Sequence, residues 1–287
     1  MHTALFANAV TEVFQYDFLR RALIAAVLVG ITAPAVGVFL VQRRLALIGD
    51  GLGHVAVTGL ALGLVLHRTP VLVAVVIAVL GAVAIEIVRA ASDTTGEIAL
   101  AVLFYGGIAG GVVLVSKAPS GSRNLTQYLF GTITTTSNGD LVVFAILAAV
   151  VLIVVLFLGP ALFAVSNDEE FARALGIPVM GINILLATLT ALTVVVSMRV
   201  VGVLLVSALM VVPVATAQLF ASSFRSTCVY AGIVAVVSAV VGIVVSYAAD
   251  LPSGGTIVLV AIGFFVLSLV GSSVQRLARR TSAHGSS

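Results

Sequence analysis

Nine apolar stretches, each close to the thickness of a bilayer, follow one another along almost the whole chain. They lie at about 22–41, 47–66, 70–88, 98–116, 139–161, 181–198, 200–219, 227–248 and 255–274, and a helix needs about 20 such residues to cross a hydrocarbon core. The pattern predicts an all-α, polytopic membrane bundle of eight or nine helices. The count is open because 47–66 is short for a full crossing and 181–219 also reads as one broken element. Composition agrees: of 287 residues 61% are hydrophobic and 9% charged, where a soluble domain carries roughly 25% charged residues.

Several classes of protein drop out at once. The net charge of +3 reflects basic residues beside the spans and gives no nucleic-acid surface. Cys228 is the only cysteine, so the chain forms no internal disulfide and no thiolate metal site. Lys117 is the only lysine, and Val115-Ser116-Lys117-Ala118-Pro119 is not a phosphate-binding loop. If ATP drives this protein, another chain hydrolyses it.

Three regions are expected. Residues 1–21 read as an interfacial segment, with Phe6, Val10, Val13 and Phe14 roughly on one side, rather than as a cleavable leader. Residues 22–275 form the transmembrane domain, and 276–287 a polar tail, disordered from Thr281. Within the domain, Lys117 to Asp140 reads as an external loop with an amphipathic piece around Leu125–Phe130. Residues 166–178 hold a short helix, with Ser166 or Asn167 as cap, acids in its first turn, and Gly176 and Pro178 as its stop. Arg276, Arg279 and Arg280 favour a cytoplasmic C-terminus. Counting back puts the short helix, Arg225, Arg89 and Arg43-Arg44 on that side. Arg20, Arg21, Arg68 and Arg199 fall on the other.

With so few charges, each can be weighed. Asp50 and His54 are four residues apart, so a helix places both on one face. A carboxylate and an imidazole so placed make half a site for Mn²⁺, Zn²⁺ or Fe²⁺, while Cu⁺ prefers sulfur. The bland alternative is that Asp50 caps a helix beginning at Gly51 and His54 bonds a carbonyl. Two ligands are too few, and a two-fold dimer would supply the other two. Thr58 continues the same face, either along a path or as a structural hydroxyl. Gly49, Gly53, Gly59 and Gly63 leave the helix smooth for close packing. Glu86 and Arg89 can pair with one another, or Glu86 can relay protons. Arg199 reads as a helix end or as a gate that repels cations or pairs with an acid. Pro213 is expected to kink or break its helix, as happens beside transport paths.

Three stretches together resemble a known family. They are Gln42 to His54 with its Gly49-Asp50…His54 pattern, Asp168 to Ile177, and Ala191 through Ser207 to Pro213-Val214-Ala215-Thr216-Ala217. This is similar to the permease subunits of ATP-binding-cassette importers for zinc, manganese or iron, with the likeness running from Phe18 to Gly271. The family usually has Ser before the His; here it is Gly53, a packing position.

The resemblance implies a type II-like cassette importer permease that dimerises with a second copy. It also implies a separate cytoplasmic ATPase that uses the ATP, and an extracellular metal-binding protein that delivers cargo. Asp50 and His54 would hold the ion, and no cofactor stays bound. Asp168, Glu169, Glu170, Phe171, Ala172, Arg173, Leu175 and Gly176 would dock the ATPase. Rival readings are an ion-coupled secondary transporter using Glu86 and Asp50, a membrane scaffold, and a cassette permease for a metal chelate.

Overall fold

The computed structural model describes residues 16–91, 95–117, 128–131 and 137–284. The interfacial segment expected around Phe6 to Phe14, and Leu125 of the amphipathic piece, lie outside these residues. The elements are helices: α1 Asp17–Gln42, α2 Ile48–Val65, α3 Pro70–Ala91, α4 Thr95–Val115, α5 Asn138–Asn167, α6 Glu169–Ala174, α7 Val179–Ser197, α8 Val203–Gln218, α9 Phe224–Ala249 and α10 Ser253–His284. Among the described residues, eight are long and apolar enough to cross a membrane. All nine apolar stretches form helices, and the one outside those eight, α8, is the short one, apolar over Leu205–Gln218. Helix α10 runs on to His284, so the tail expected to be disordered from Thr281 is helical through that residue.

The stretch 181–219 is two elements. Helix α7 stops after Ser197, whose carbonyl accepts from the amides of both Val200 and Val201 at 3.1 Å. Gly202 then takes φ +87°, a conformation that L side chains rarely adopt. Helix α8 does not end at Pro213 but continues through it to Gln218, so the break falls at the glycine.

Small residues decide which helices meet. Ala74, Ala78 and Ala82 make a buried stripe four residues apart along α3. A methyl on Gly59 of α2 would come within 2.6 Å of the Ala74 Cα, and one on Gly63 within 2.7 Å of the Pro70 Cα. Backbones this close give the dispersion contact that holds helices together in lipid, where no hydrophobic force acts between them. Helices α1, α2 and α7 form the centre, with 67% of their apolar windows buried. Helix α4 has 11% buried, packs chiefly on α2, and turns Ile98, Val102, Tyr105 and Val112 outward.

The bundle has two distinct ends. At one, the ends of α1 and α5 meet α6 and the start of α7. Here Gln42 donates to Asn167 at 3.2 Å, and the rings of Phe39, Phe163 and Phe224 cluster. At the opposite end, Tyr16 and Phe18 pack on Tyr247, and the Ser253 hydroxyl donates to the Val200 carbonyl at 3.1 Å. Gly131 (φ +71°), Gly202 and Gly254 sit there with backbone against backbone. A Cβ on any of them would run into the main chain of Val200–Gly202 or Leu129–Gly131.

Candidate functional site

Helix α2 begins at Ile48 after the N-cap Leu47, whose side chain makes no cap bond. Asp50 therefore lies in the first turn rather than at the cap, and Gly51 is not the helix start. A carboxylate there is favoured by the unpaired amides of the helix end. One turn on, His54 Nε2 lies 4.0 Å from Asp50 Oδ1. That is too long for a hydrogen bond and within the reach of two metal–ligand bonds of about 2.0–2.2 Å each. Both side chains are partly exposed. Among the described residues there is no group of three or more His, Cys, Asp and Glu able to hold an ion. Asp50 and His54 stand as a two-residue pair.

Helix α4 sets the far wall of this pair. The Phe104 ring meets the His54 imidazole edge-on, with centroids 4.4 Å apart. Gly107 lies over the backbone of His54, where a Cβ would sit 2.8 Å from its carbonyl carbon. Thr58 donates its hydroxyl to the Gly107 carbonyl at 2.6 Å, so it fastens α2 to α4. Asp50 also faces a cavity of about 770 Å³ whose lining includes Arg43, Arg89, Leu100, Phe104 and Tyr105.

The remaining charged candidates are closed onto partners. Glu86 is buried and accepts from Arg89 at 2.8 Å. Arg199, in the α7–α8 break, pairs with Asp140 at the start of α5, and Asp140 also accepts from the Ser137 amide in a capping box. Both lie far along the chain from Asp50.

The short helix is present with a different cap. Asn167 and Ser166 are the last residues of α5, and Asn167 is taken by Gln42. Asp168 turns extended (φ −154°) and its Oδ1 accepts from the Phe171 amide at 2.9 Å. Helix α6 follows, and Gly176 ends the turn at φ +79°. Its residues divide. Asp168, Glu170, Phe171, Arg173, Leu175 and Gly176 are exposed, while Ala172 is buried. Glu169 is half-buried and accepts from Arg43 Nη2 and, at 3.2 Å, from Asn183 Nδ2. Burial pulls the Arg43 guanidinium below its ordinary pKa, while Glu169 and then Glu86 pull it back up. Phe104, Asp140 and the Arg43–Glu169 pair carried no sequence signal beyond the expectation that Arg43 and the acids share one membrane side.

Eight apolar helices long enough to cross a bilayer, packed as one bundle, define a polytopic membrane protein. The chain belongs to the ABC 3 transport family, whose profile matches residues 15–272. It is 34% identical over 270 residues to the manganese transport system membrane protein MntC of Halalkalibacterium halodurans, covering 94% of this chain and 92% of that one. It is 30% identical over 254 residues to the high-affinity zinc uptake system membrane protein ZnuB of Haemophilus influenzae, covering 88% and 97%. Among solved structures, PsaBC from Streptococcus pneumoniae in complex with Fab matches with a TM-score of 0.83 at 32% identity. That match covers 91% of this chain and 94% of that chain. The protein is a multi-pass protein of the plasma membrane.

Proposed function

We propose that this chain is the ion-conducting permease of an importer for Mn²⁺, Zn²⁺ or Fe²⁺, driven by a cassette ATPase on a separate polypeptide. The observation that carries the reading is the Asp50–His54 pair: two hard-to-borderline ligands, one turn apart, partly exposed and not bonded to each other. Relatives named for manganese and zinc transport support it. The second half of the site comes from a second copy, whose Asp50 and His54 meet these across a two-fold axis. The outward apolar face of α4, beside the pair, is suited to that contact or to lipid.

An extracellular binding protein delivers the ion, which the four side chains hold transiently, since a transport site must release as well as bind. The exposed face of α6, with Phe171 and Leu175 outward, docks the ATPase on the cytoplasmic side. Nucleotide turnover then shifts the spans between outward and inward access. The ion-coupled alternative draws no support from Glu86, which is buried against Arg89.

The test is uptake of Mn²⁺, Zn²⁺ and Fe²⁺ into vesicles carrying the chain with its ATPase and binding protein, comparing native with Asp50→Ala. Uptake of one ion that vanishes in the variant, with the complex assembled, is the expected result. Uptake unchanged by the substitution would return Asp50 to a structural role.

A further inference from the structure

Helix α6 packs on α5 and α7, whereas the proposed metal ligands stand on α2. Some part of the molecule has to connect the two. The α1–α2 turn reaches the short helix through one side chain. Arg43 lies at the end of α1, its side chain 5% exposed, and crosses to Glu169, the first residue of α6. Asn183, near the start of α7, donates to the same Glu169 oxygen at 3.2 Å. The neighbouring Arg44 is by contrast exposed and held at φ 60°.

The turn that follows is tied by backbone hydrogen bonds. The Leu45 amide bonds to the Leu40 carbonyl at 2.8 Å, the Ile48 amide to Leu45 at 3.0 Å, and the Gly51 amide to Leu47 at 3.1 Å. A displacement of Arg43 therefore carries the first turn of α2, and Asp50 with it. Arg43 and Arg89, the latter paired with the buried Glu86 at 2.8 Å, line the same cavity that Asp50 faces. A guanidinium stays charged under all working conditions and holds a carboxylate with directed bonds, so this link transmits both push and pull.

We infer that Arg43 is a positioning residue that couples the docking helix to the metal-bearing helix through Glu169, so that movement of α6 is read out as movement of Asp50. The inference rests on the transport reading above. It predicts a particular failure: without the link, ATP is still hydrolysed but no longer moves the ion.

The experiment uses the whole complex in vesicles and measures ATP hydrolysis and uptake of Mn²⁺, Zn²⁺ or Fe²⁺ on the same preparation, per assembled complex. Native chain, Arg43→Gln and Arg43→Lys are compared. Arg43→Gln should hydrolyse ATP within about twofold of native yet lose roughly tenfold in ions moved per ATP, a coupling loss of ordinary allosteric size. Arg43→Lys, which keeps the charge and one bond, should recover most of the ratio. A merely structural role lowers assembly and both rates together and leaves the ratio alone. Should Arg43→Gln assemble too poorly to measure, Asn183→Leu keeps the ion pair, removes the second donor to Glu169, and should lower the ratio about twofold to threefold. A native complex that couples hydrolysis to uptake, with the ratio unchanged in these variants, overturns the inference and leaves the transport reading standing. A native complex that moves none of the three ions overturns both.

Discussion

Arg43 and Asp50 stand only a few residues apart, at the end of α1 and the start of α2, yet the pairs they belong to are built in opposite ways. Arg43 is closed onto Glu169, its side chain almost wholly out of solvent. Asp50 and His54 stand 4.0 Å apart and partly exposed beside a cavity. In an apolar bundle a charge is costly unless something satisfies it. A pair satisfied by the chain itself is spent on structure and geometry, as are Glu86–Arg89 and Arg199–Asp140. A pair left open, on the proposed reading, keeps its lone pairs for cargo. On the proposed reading, function concentrates at the pair that the chain leaves open.

The comparison can be broken most forcefully from α4. Gly107→Ala places a methyl 2.8 Å from the His54 carbonyl carbon and so pushes α4 from α2 where the open pair is formed. We expect a loss of about 1–3 kcal/mol in stability, read as a lowered Tm in detergent, together with loss of ion uptake by the assembled complex. Native uptake at native Tm would mean that α4 does not hold His54 in place.

A smaller effect is expected from opening a closed pair. Arg199→Gln strips Asp140 of its charged partner and should cost about 1–2 kcal/mol, with uptake within roughly twofold of native. Native stability with uptake abolished would instead identify Arg199 as a gate. The smallest effect belongs to Thr58→Val, which removes one hydroxyl bond to the Gly107 carbonyl and should cost about 1 kcal/mol. Transport should be unchanged, and a strong loss of uptake would put Thr58 in the path.

Much of this architecture is legible in the order of the amino acids. Bilayer-length apolar runs announce spans directly, and four-residue spacing makes Asp50 and His54 neighbours on any helix. The short helix is legible too, but its cap is not. Ser166, Asn167 and Asp168 are all good capping residues, and only the extended backbone at Asp168 singles it out. The end of α7 is blurred because apolar residues run through it. Arg199 and Gly202 are the marks, while Pro213, the louder one, does not end its helix.

What stays hidden is contact between distant segments. Arg43 and Glu169 are 126 residues apart, and nothing in α4, apolar on every side, singles out Phe104 as the residue that meets His54.

The three-glycine crossing at the end away from α6 has a consequence for genetics. Gly131, Gly202 and Gly254 admit only a hydrogen, so alleles altered there will be lost as completely as alleles of the proposed ion ligands. A map of intolerant positions will therefore show a second dense region that touches neither cargo nor nucleotide. That region marks the seam on which the chain closes up, and it should not be mistaken for another place where metal rests.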